Sequence, residues 1–151
     1  MSENQRPTEE LLALIWPAMD HGISSIKDIG GPLIPFIMFE QNDRTREVHR
    51  YMVGRTPWDS VLEARKSIAA LPSTAVSFAL VYDGSVTITG EKSSAVLVEA
   101  AARGCPSGFR MFQRFRPKGF LHSFKPLGNP GLLGICENWF DANSTVKTDG
   151  K

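Results

Sequence analysis

Three side chains on one short stretch could bind anions, Arg110, Arg114 and Arg116, with the Phe112 ring between them, in the run Phe109-Arg110-Met111-Phe112-Gln113-Arg114-Phe115-Arg116. Guanidinium groups pair with carboxylates and phosphates through two parallel N–H donors, and a ring beside them can stack on a flat ligand. Lys118 and His122 follow closely. The competing reading is a solvated cationic face neutralised by cross-strand carboxylates such as Glu99 or Glu91. A second set of residues could do acid–base or nucleophilic work. Glu99 interrupts an apolar run, and Cys105 sits beside Pro106 in a glycine-containing turn with Arg103 nearby. A nucleophile needs a base and an orienting acid within reach, and no spacing pairs Cys105 with His122 or Glu99. The histidines, His21, His49 and His122, are scattered, without the helical spacing that converges on a metal. No cofactor motif is present: no P-loop or dinucleotide fingerprint follows a strand.

These residues need a scaffold. With a period of two, Phe109, Met111, Gln113 and Phe115 share one face and Arg110, Phe112, Arg114 and Arg116 the other. That is a β-strand with an apolar side for a core and a cationic side for solvent or a partner. The same alternation puts Glu99 with Ala95 and Leu97, opposite Val96 and Val98, pointing outward towards an arginine.

Upstream, Thr8 can cap a helix whose first turn holds Glu9 and Glu10; Pro17 should kink or tighten it and Gly22 should end it. Residues 33–40 and 47–53 read as a hairpin across the turn residues 41–44. Thr56-Pro57-Trp58-Asp59 carries cap, first-turn proline and shortened capping box, and the apolar members of the following stripe face a core. Asp83-Gly84 separates two β-like runs and predicts a two-residue hairpin loop, with Tyr82 opposite Ser85 and Val86 on the face of Val81. Further strands are expected at 95–100 and 109–116. Residues 117–134 are rich in proline and glycine and read as loop, with a short strand at 120–124, and Leu132 to Phe140 reads as a last strand or a helical turn. Gly128-Asn129-Pro130-Gly131 has the form of the GXXG clamp of RNA-binding KH domains. Pro130 removes a backbone donor and the flanking helices are missing, so a simple turn is the reading.

The expectation is an α+β, two-layer domain over residues 1–141. An antiparallel sheet with a C-terminal four-strand meander packs against two helices, in the order α-β-β-α-β-β-β-β, with a flexible polar tail at 142–151. The chain has 151 residues, enough for one core, and a net charge of +1. No global field therefore draws it to nucleic acid. The charge is uneven: residues 100–136 hold six Lys or Arg and no carboxylate. The polar N-terminus lacks a signal-peptide core, and Cys105 and Cys136 are read as reduced thiols, which together imply a cytoplasmic protein. No apolar run is long enough to span a membrane.

The functional expectation is a non-catalytic interaction protein whose partner is another protein or a second copy of itself as a homodimer. One alternative is an anionic small molecule, or less readily nucleic acid, bound through the basic strand 109–118. The other is a small enzyme with a pocket near Glu99, His122 and Cys105.

Overall fold

The computed structural model describes residues 6–141, and the expected tail at 142–151 lies outside them. The elements run α1 (Glu9–Ile29), β1 (Phe36–Gln41), β2 (Arg46–Arg50), α2 (Pro57–Ile68), β3 (Ala75–Ile88), β4 (Glu91–Ala102), β5 (Gly108–Arg116) and β6 (Lys125–Cys136), closed by a 3₁₀ turn at Trp139–Asp141. All six strands form one antiparallel sheet in the order β2-β1-β3-β4-β5-β6. The class and element order are those expected, and the C-terminal meander is β3 to β6.

The two helices take opposite faces. Leu14, Ile15, Ala18 and Met19 of α1 pack with Phe36, Met38, Val81, Val96, Val98 and Met111. Val61, Ala64 and Ile68 of α2 pack with Ile37, Phe39, Leu80, Leu97 and Phe140. Each strand residue goes to one core or the other by simple alternation, so the central strands β1, β3 and β4 read as nearly continuous apolar runs. The layer expected on one side of the sheet is thus matched by a layer on the other.

The caps form as their residue types require. The Thr8 hydroxyl accepts from the Leu11 amide at 3.1 Å, and Thr56 and Asp59 make a complete capping box at the start of α2.

Four local expectations fail. Helix α1 does not end at Gly22; it carries Pro17 in its interior, runs to Ile29 and is capped by Gly30. Gly22 instead lets the helix approach the sheet, since a Cβ there would lie 2.9 Å from Val81 Cγ1 and 3.1 Å from Val96 Cγ1. No hairpin forms at Asp83-Gly84. Strand β3 passes straight through, pairing Asp83 with Val96 and Gly84 with Ala95, and the turn falls at Thr89-Gly90 with φ of 49° and 83°. The Asp83 carboxylate is used at long range, accepting from the Leu33 amide at 3.1 Å. Because the strand does not turn there, Val86 joins Leu80 and Tyr82 on the α2 face rather than Val81.

Residues 125–131 are not loop, and of the two readings for 132–140, last strand or helical turn, the strand holds as far as Cys136. Residues 125–136 form β6, with bulges opposite Arg110/Met111 and Phe112/Arg114. The turn expected at 128–131 is therefore part of an edge strand, where proline and glycine are tolerated. The short strand expected at 120–124 is absent, and those residues are connecting loop.

Candidate functional site

Glu99 is fully buried on the α2 face of β4, where the alternation of its strand puts it. It does not point outward as expected. Four residues from four elements donate six hydrogen bonds to its carboxylate. Arg65 of α2 binds both oxygens, Nε to Oε1 at 3.1 Å and Nη2 to Oε2 at 2.6 Å. Arg110 of β5, directly across from Glu99 in register, gives Nε and Nη2 to Oε2 at 3.2 and 2.9 Å. The Tyr82 hydroxyl of β3 donates to Oε2, and the Trp139 indole N–H to Oε1 at 2.9 Å. Arg65 is itself held between two rings, its guanidinium 4.9 Å from the Trp58 ring and 4.7 Å from the Trp139 ring.

The charges follow from this geometry. Burial pushes the Glu99 carboxyl up, but the bonds and charge of Arg65, the Tyr82 hydroxyl and the Arg110 charge outweigh it and hold the group ionised, below its usual range. Burial, then the Glu99 charge, pushes the Tyr82 phenol well above its ordinary value, so it stays neutral. The neighbouring Cys136 thiol is pushed up to about 12, by burial first and by Glu99 second. A carboxylate this thoroughly engaged has no lone pair to offer a substrate proton. Its role is to tie α2, β3, β5 and the C-terminal turn to β4.

Beside this cluster lies a cleft of about 430 Å³ on the α2 face. It is lined by Tyr82, Gly84, Leu97, Arg110 and Leu133 of the sheet and by Trp58 and Arg65 of α2. Gly84 packs close, since a Cβ there would come within 3.0 Å of Leu97 Cδ1.

Compared with models of protein families, with curated proteins and with solved structures, the chain matches none. The site stands on its own geometry.

The residues singled out on the basic stretch do not converge. Arg110 alone reaches the cleft. Phe112 is half-buried, packed on the α2-face core, and its ring lies over Gly131, where a Cβ would be 2.8 Å from Phe112 Cε1. Arg114 lies against Gly128, whose Cβ would meet its Nη2 at 2.9 Å. Arg116 donates to the Ser123 carbonyl from Nε at 3.3 Å and Nη2 at 3.1 Å. Lys118 is exposed at the rim of a separate 280 Å³ hollow that also includes Phe115 and Asp83. His122 is exposed in the 117–124 loop, its carbonyl accepting from the Gly119 amide at 2.9 Å.

Neither His122 nor Cys105 lines the cleft or bonds Glu99. Cys105 is an exposed free thiol whose carbonyl accepts from Asn138 Nδ2 at 2.9 Å. Among the described residues, no group of three His, Cys, Asp or Glu could hold a metal, and no helix is long and apolar enough to cross a membrane.

Sequence reasoning missed Arg65, Tyr82, Trp58 and Trp139 as members of the site. One signal was present: Arg65 occupies a helical position in register with Val61, Leu62 and Ile68, a cation inside an apolar stripe.

Proposed function

We propose that this is a non-catalytic interaction protein whose first partner is a second copy of itself, joined at β6. The carrying observation is the contrast between the two sheet edges. Edge β2 is guarded: Arg46, Glu47, His49 and Arg50 are all exposed, and charged edges resist pairing with another strand. Edge β6 holds no charge after Lys125, and its stretch 131–136 holds no proline either. Leu132, Leu133 and Ile135 stand exposed there at 42, 43 and 58%. An unguarded strand with apolar side chains on both faces is a template for an antiparallel partner, and an identical strand meets it about a two-fold axis. Pro126 and Pro130 confine such pairing to residues 131–136.

The saturated Glu99 carboxylate supports binding over catalysis in this reading. A cytosolic setting belongs to the same proposal, and the two free thiols suit it.

Light scattering coupled to size exclusion tests it. The wild-type chain should run as a dimer at micromolar concentration, and Ile135→Lys with Leu132→Lys should run as a folded monomer with an unchanged circular dichroism spectrum. A wild-type chain that is monomeric up to high micromolar concentration removes the self-association.

A further inference from the structure

We infer that the cleft between α2 and β6 binds a small monocarboxylate with a flat apolar body, its carboxylate on Arg110. Three features converge on this, and none of them depends on pairing at β6.

The first is charge. Arg65 and Arg110 share a single carboxylate, Glu99, and the Tyr82 phenol between them is neutral. Among the described residues, one positive charge in the cluster has no carboxylate paired with it. Asp83 borders the cleft, but its carboxylate bonds the Leu33 amide, which packs on the other face of the sheet.

The second is the geometry of the donors. A guanidinium has two usable edges. Arg110 turns its Nε and Nη2 edge to Glu99, leaving Nη1 without a partner among the described residues. Its side chain is 36% exposed, and it lines the cleft. That free end matches one planar carboxylate, held already rigid by Glu99.

The third is shape. Trp58, Leu97 and Leu133 line the cleft with Arg110, and Gly84 adds no side chain to it. The space measures about 430 Å³ and is open to solvent on one side, room for one small ring-sized ligand seated against Arg110 and only partly covered. A phosphate monoester is disfavoured, because among the described residues its second charge has no counterpart in the cluster and no lysine lines the cleft.

The test uses the full chain and four probes at millimolar concentration: benzoate, phenylacetate, benzamide and phenyl phosphate. Saturation-transfer NMR and quenching of tryptophan fluorescence report binding. The two carboxylates should bind and benzamide should not. Arg110→Gln and Trp58→Ala, both checked for folding by circular dichroism, should each weaken binding about tenfold or more, the size of effect expected for one charge-assisted hydrogen bond or one aromatic wall. Trp58 is half-exposed, so its variant should fold even if Arg110→Gln does not. Ile135→Lys should keep carboxylate binding whether or not the chain dimerises, which separates this result from the fate of β6 pairing. Failure of both carboxylates to bind folded wild-type protein overturns the assignment. So does equal binding of benzamide, tighter binding of phenyl phosphate, or binding unchanged in folded Arg110→Gln or in Trp58→Ala.

Discussion

Arg65 and Glu99 meet side-on, two nitrogens to two oxygens at 3.1 and 2.6 Å, across 34 residues of chain and the junction of helix and sheet. Arg65 is 14% exposed and Glu99 not at all. Removing one partner from such a pair leaves the other charge buried without compensation. Glu99→Gln would strand two guanidinium groups, and urea unfolding should show a loss of about 3 kcal/mol, within the range for broken buried ion pairs. A loss under about 1 kcal/mol would mean that the cluster is well solvated.

The same group sets the acid limb of stability. The folded-state pKa of Glu99 lies below its unfolded value, so on acidification the unfolded chain takes up this proton first. The stability Glu99 contributes is complete above the unfolded glutamate value, about 4.3, and is lost as pH falls through the depressed folded value. Urea midpoints measured from neutral to strongly acid pH should fall over that window in wild type, and this part of the fall should be missing in Glu99→Gln.

Gly22 should resist even the smallest side chain. An added methyl would press on Val81 and Val96, whose β-branched side chains cannot turn away cheaply. Alanine is favoured over glycine in a helix by about 1 kcal/mol. Overpacking nonetheless costs about 1–3 kcal/mol, so Gly22→Ala should be neutral to destabilising and Gly22→Leu strongly destabilising. Thermal unfolding of the three chains checks the order, and a stabilised Gly22→Ala would contradict the close approach of α1 to the sheet.

Thr89 holds a φ of 49°, a left-handed conformation that β-branched residues avoid. Asparagine tolerates it and is favoured in two-residue hairpin loops. Thr89→Asn should therefore raise stability by about 1 kcal/mol, seen as a higher urea midpoint.

The two thiols should differ in reactivity. Cys105 is exposed, whereas Cys136 is half-buried with its pKa pushed up to about 12. Only the thiolate reacts, so at pH 8 very little of Cys136 is competent. Ellman's reagent should titrate one thiol per native chain quickly and the second only after denaturation.

What could be read from the residues alone was local. Thr8 and Thr56 start helices because a hydroxyl satisfies a free amide within one turn, and no distant residue is needed. Arg110 and Phe109 take opposite faces of β5 because a strand alternates, and the same parity puts Glu99 on the arginine side of the sheet. Tertiary structure decided whatever depended on a distant partner. Asp83-Gly84 has the chemistry of a hairpin loop, yet β4 supplies pairing along the whole of β3 and Leu33 takes the Asp83 carboxylate, so the turn moves to Thr89-Gly90. Prolines and glycines at 126–134 look like loop until β5 offers an edge that tolerates their bulges. The site itself was half visible: Glu99 and Arg110 share a face by parity, but only the folding of α2 onto that face brings Arg65 and Trp58 to them. Backbone periodicity acts over a few residues, whereas a cleft is made by side chains that the chain brings together from far apart.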